Sequence, residues 1–167
     1  MKTPLGFNRA AFRARPAASW GMTFVIALRY LMALFFTGAA INKWTKEYLW
    51  TDKLLRVFRE RLQEVDPETF GAWFIENVGI PNYTTFAWLV TWGETFAAIG
   101  LLLGLVTRSA ATCAMLMMFA FAIGGYYDAS LIILGLMFLP FVLLPTGRWH
   151  GLDRRLHARH PQSLLFR

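Results

Sequence analysis

Four stretches of this chain, residues 20–42, 83–104, 109–126 and 129–144, stay apolar over the thickness of a bilayer or nearly so. A helix rises about 1.5 Å per residue, so about 20 apolar residues cross a hydrocarbon core of about 30 Å. The last two stretches sit near the lower limit of about 17 residues. Lipid offers no hydrogen-bond partner to an open backbone, so each stretch must satisfy its own backbone as a helix. Composition agrees: 16% of the 167 residues are charged, where a soluble domain would carry about a quarter. The fold class expected is an all-α membrane protein, a single domain built as an antiparallel four-transmembrane-helix bundle. Tyr127 and Asp128 alone join spans three and four, which predicts a tight hairpin with Asp128 as a turn residue or the N-cap of span four.

Orientation follows from the charges outside the spans. Lys2, Arg9, Arg13, Arg15, Arg108, Arg148, Arg154, Arg155, Arg159 and Arg167 would share one face of a four-span protein. Lys43, Lys46, Lys53, Arg56, Arg59 and Arg61 occupy the other, interleaved with acids. The positive-inside rule then puts both termini, and the basic tail 146–167, in the cytoplasm. The expected location is the inner membrane of a bacterial or archaeal cell. Topology and anionic headgroups account for the net charge of +7, so no nucleic-acid partner is expected. Trp20, Trp44, Trp50, Tyr83, Tyr126, Tyr127 and Trp149 fall near span ends, as in an aromatic belt. The first apolar run is too long for the 7–15-residue core of a signal peptide, and we read it as a retained span.

Residues 45–82 form the one substantial segment outside the spans. Leu54, Leu55, Phe58, Leu62 and Val65 recur at helical steps while Lys53, Arg56, Arg59, Glu60, Gln63 and Glu64 face elsewhere, which predicts an amphipathic helix. Asp66-Pro67-Glu68 reads as an N-cap with proline at the first helical position, opening a second short helix that carries Phe70, Trp73 and Phe74. The pair would roof the bundle, as a plain cap or as a docking or gating surface.

Two charges interrupt the first two spans, Arg29 and Glu94. An ionised group in hydrocarbon is costly, usually paired, and a functional-site candidate. With level span ends, both lie about 14–15 Å deep, which predicts an Arg29–Glu94 pair. Such a pair either locks the spans in register, helped by Gly38, Gly93, Gly100 and Gly104, or serves a ligand.

Three stretches resemble the DoxX family of small four-helix membrane proteins, which are related to a subunit of thiosulfate:quinone oxidoreductase. LRYLMALFFTGAAINKW carries Arg29, Gly38 and Lys43 at the family's spacing. GIPNYTTFAWLVTWGETFAAIGLLLGLVTR carries the Gly93-Glu94 pair and a closing Gly-Leu-x-Thr-Arg, and SAATCAML opens span three. The long outer segment and the Arg-rich tail depart from many relatives. The resemblance implies quinone or quinol as cofactor, with sulfur or thiol redox partners, and does not make the chain catalytic alone.

On that basis the candidate catalytic residues are Arg29 and Glu94. A guanidinium can donate to a quinone carbonyl, and a carboxylate can exchange a proton. Asn42, Lys43, Trp88, Trp92 and Tyr126 are the candidate quinone-binding residues, lining a slot at the outer end. Cys113 is the sole cysteine, and His150, His157 and His160 lie in the tail, so neither a metal nor an intrinsic haem is expected. Two functions stay open: a subunit of a quinone-linked oxidoreductase, or a non-catalytic accessory subunit of a larger respiratory or photosynthetic complex. Both imply membrane lipids and other membrane or periplasmic subunits as partners. A transporter would need more helices, with breaks near the midplane.

Overall fold

The computed structural model describes residues 15–46, 48–126, 129–163 and 165, without the side chains of Gly125, Tyr126 and Ala129. Among these residues all regular structure is helical. In chain order the helices are α1 (Pro16–Thr45), α2 (Lys53–Glu64), α3 (Phe70–Phe74), α4 (Tyr83–Leu103), α5 (Thr107–Phe121), α6 (Ala129–Leu136), α7 (Leu139–Leu143), α8 (Thr146–Trp149) and α9 (Asp153–Arg159). Two π-helical turns, Ile75–Gly79 and Ala122–Tyr126, extend α3 and α5. The turn residues Tyr127 and Asp128 lie outside the described residues.

Among the described residues three helices are long and apolar enough to cross a membrane: α1, α4, and α5 with its π turn to Gly124. The remaining apolar stretch, Ser130–Leu143, is shorter. It is not the even span expected from sequence but two pieces, α6 and α7, parted ahead of Pro140, which is tolerated in the first turn of a helix but not in its interior. Within the spans several threonines return their hydroxyls to the carbonyl four residues back, Thr37 to Ala33 and Thr91 to Ala87 at 2.7 and 2.8 Å, so these hydroxyls are not left to lipid.

The core lies where α1, α4, α5 and α7 meet. Ala33, Ala97, Ala98, Ala110, Ala111 and Ala114 let the helices approach closely. Phe36, Phe138 and Phe141 fill the remaining volume edge-to-face, with centroids 5.6 and 5.9 Å apart. Phe24, Leu31, Leu34, Leu89, Ile99 and Leu116 point outward. That apolar exterior is what a protein solvated by lipid requires.

The glycines pack differently from expectation. Gly38 faces open space, while Gly93 lies under the Met117 sulfur and Gly100 against Ala110, so the close approach they permit is to α5 rather than α1. Gly104 ends α4 at φ +62°, a left-handed conformation suited to glycine, and a Cβ there would crowd Gly151 and the Arg29 guanidinium.

The cap forms as two helical pieces. Its second helix starts later than Asp66: Thr69 is the N-cap, accepting from the Ala72 N–H, while Asp66 folds an Asx turn onto the Glu68 N–H at 3.0 Å. Leu49, Leu54 and Ala87 anchor the cap on α4.

At the opposite end the chain after α7 closes over the bundle. Asp153 accepts from the Val106 and Thr107 amides at 2.7 and 3.0 Å and from the Thr107 hydroxyl at 2.8 Å. This carboxylate caps α5 and holds Val106 at φ +43°, strained for a β-branched residue.

Candidate functional site

Lys43 stands in the last turn of α1, where the helix dipole favours a cation. Its Nζ donates to both oxygens of Glu94, at 2.7 Å to Oε1 and 2.8 Å to Oε2. The side chains are only 15% and 5% exposed. Glu94 lies eleven residues into α4 and nine before its end, about 16 and 14 Å from the two. Glu94 is therefore midway along α4, where an unpaired charge is costly, and Lys43 reaches it from the last turn of α1.

Above the pair opens a cavity of about 360 Å³. Among the described residues Lys43 is its only charged lining residue; Tyr48, Leu54, Phe58, Phe74 and Phe86 form one wall, and Val90, Met117, Phe121 and Leu131 lie among the others. The Phe86 ring stands nearly perpendicular to those of Phe58 and Phe74, with centroids 6.3 and 5.8 Å away, which fixes the aromatic wall. Lys43 Nζ also lies 5.3 Å from the centre of the Tyr48 ring. Both π turns border the cavity region: Gly79 packs on Phe58, and Gly124 lines the cavity opposite Phe74. Such turns occur often at functional sites.

Chemically, an ammonium has three N–H groups. Glu94 engages two, so one donor remains for the cavity. The arrangement offers an apolar volume, aromatic faces, one charge-assisted donor and a carboxylate behind it that can hold a proton.

The expected Arg29–Glu94 pair does not form. Arg29, fully buried, donates to the Thr146 carbonyl at 2.8 Å and the His150 carbonyl at 2.5 Å. Helices α1 and α4 do run antiparallel, but their ends are not level. Arg29 abuts Gly104, Lys43 meets Glu94, and Trp44 meets Thr95 and Trp92. Glu94 thus pairs fourteen residues beyond Arg29, about 21 Å along α1. Each charge finds a partner at its own level, which removes any drive to slide the helices into the expected register.

Of the candidate binding residues, Lys43 alone lines the cavity. Asn42 is exposed. Trp88 packs edge-on against Trp50, and Trp92, 54% exposed, packs against Trp44 on the outer surface. The Tyr126 side chain falls outside the described residues. Sequence reasoning missed Tyr48, Phe58, Phe74 and Phe86. Their signal was the apolar face of the cap, which had to cover something. Among the described residues no three His, Cys, Asp or Glu side chains come together as a metal site.

Comparison with curated proteins and with solved structures gives no match. The family model for DoxX matches residues 24–126, a span that holds Arg29, Lys43, Glu94 and most of the cavity wall. The match covers well over half of the 167 residues, and the chain belongs to the DoxX family.

Proposed function

We propose that this chain is a membrane subunit of a quinone-linked oxidoreductase, and that the cavity beside Lys43 and Glu94 receives the quinone head group. The observation that carries the reading is the Lys43 ammonium, held by Glu94 at the edge of an otherwise apolar aromatic chamber. The residues present fit such a group. The volume falls within the range of about 300–1,000 Å³ usual for small-molecule sites, which are mostly apolar with few polar groups. A bound quinone supplies the redox chemistry, accepting or releasing electrons together with protons. Lys43 donates to a carbonyl oxygen, Glu94 holds or releases a proton behind it, and Phe58, Phe74 and Phe86 exclude water. Arg29 has no part in this site; it fastens the chain after α7. Electrons come from a redox cofactor on a partner subunit.

The accompanying topology is four antiparallel spans, with α6 and α7 as a broken fourth, both termini cytoplasmic and the cap outside. Its support is the division of basic residues between the two faces, ten against five once Lys43 is set aside in its buried pair.

The test is purification in mild detergent followed by extraction and identification of bound quinone. Wild type should carry near-stoichiometric quinone, and Lys43→Met should lose about tenfold or more in affinity, the worth of one charge-assisted hydrogen bond. Wild type fixed in a large complex with no quinone would overturn the reading and leave a non-catalytic accessory subunit.

A further inference from the structure

A second recess lies on the outer surface between α4 and α5, and the quinone reading makes no use of it. It is an open groove of about 840 Å³. Its floor is small or slender, with Gly93, Thr112, Cys113 and Ala120, and its rims are bulky, with Trp92, Phe96 and Leu116. The α5 positions recur at steps of three and four from Ser109 to Ala120, so the slot follows one stripe of that helix. Eleven residues make it about 16 Å long. One leaflet of a hydrocarbon core of about 30 Å is about 15 Å deep. The slot therefore has the length of a lipid chain within a single leaflet.

The charge is at one end only. Arg108 lines the groove where α5 begins, beside the turn that joins it to α4. Among the described residues it has no acidic partner. Its one bond runs from Nη2 to the Leu143 carbonyl at 3.2 Å, and its buried Nε has no acceptor. A cation at the surface end of a leaflet-deep apolar slot complements the phosphate of a phospholipid, whose glycerol carries both that phosphate and the acyl chains.

We propose that this groove is a specific site for one anionic phospholipid, its phosphate at Arg108 and an acyl chain between Trp92 and Leu116. The test uses the protein in mild detergent with phosphatidylglycerol or phosphatidylcholine added at equal mole ratio. Native mass spectrometry should show wild type retaining phosphatidylglycerol about fivefold better, from one basic contact at the headgroup level. Arg108→Gln should abolish that preference and Arg108→Lys should keep it. Cys113, the sole cysteine and half-buried in the slot, gives a readout on unaltered protein. Phosphatidylglycerol should slow its reaction with a maleimide more than phosphatidylcholine does, and glycerol phosphate should not slow it. Equal retention of the two lipids, an undiminished preference in Arg108→Gln, or no selective protection of Cys113 would overturn the proposal.

Discussion

Removing Glu94 should damage folding through Lys43 and leave Arg29 untouched. Both side chains of the Lys43–Glu94 pair are well under a third exposed, so solvent screening takes little from the interaction. Glu94→Ala leaves the largely buried Lys43 ammonium bare against α4, at about 3–5 kcal/mol by the measure of buried pairs in soluble proteins. Glu94→Gln keeps the shape and one carbonyl acceptor, and should lose less, about 1.5–3 kcal/mol. Replacing both charges, as Lys43→Met with Glu94→Leu, should recover most of the loss, because apolar pairs of similar volume often substitute without cost. The double-mutant cycle for Lys43 and Glu94 should therefore give a coupling of at least about 3 kcal/mol. The matching cycle for Arg29 and Glu94 should be additive within about 0.5 kcal/mol, since the two share no partner and lie far apart. Unfolding by SDS in mixed micelles, followed by far-UV circular dichroism, measures both. A Lys43–Glu94 coupling below about 0.5 kcal/mol, or an Arg29–Glu94 coupling above about 1 kcal/mol, would refute the register of α1 on α4.

Other consequences follow from the closing segment and the topology. Asp153→Ala removes three accepted hydrogen bonds and the restraint on Val106; it should cost about 2–4 kcal/mol and speed tryptic cleavage at Arg154 and Arg155. Gly147→Ala would drive a methyl into the Asp153 carboxylate and the Thr107 hydroxyl, with an expected loss of about 1–3 kcal/mol in the same unfolding assay. In a Cys113→Ala background, a membrane-impermeant thiol reagent applied to intact cells should label cysteine at Gln63 and spare it at Gln162. The reverse pattern would invert the proposed orientation.

How much of this was legible in the sequence depends on the range of the interaction. The ends of α4 were, because Gly104 and the apolar run mark them locally. So was the amphipathic cap, from the repeat of Leu54, Phe58 and Leu62. The break between α6 and α7 was signalled by Pro140 and passed over. What could not be read was the partner of Arg29. It bonds to main-chain carbonyls more than a hundred residues away, at Thr146 and His150, and a carbonyl carries no side-chain signature. Lys43 was legible as a candidate binding residue from its place in the first family-like stretch, but its pairing with Glu94 was not, because the two lie 51 residues apart. Nor are the span ends level: α1 begins thirteen residues before Arg29, while the cap covers the far end of α4.

Photolabelling with an azido-quinone analogue, followed by peptide mapping, asks most directly whether the chamber beside Lys43 and Glu94 is the quinone site. Labels should fall on the cavity wall, at Tyr48, Phe58, Phe86 or Phe121, should be displaced by excess quinone, and should be lost in Lys43→Met. Labelling confined to the outer groove at Trp92 and Leu116, or unchanged by Lys43→Met, would contradict the account.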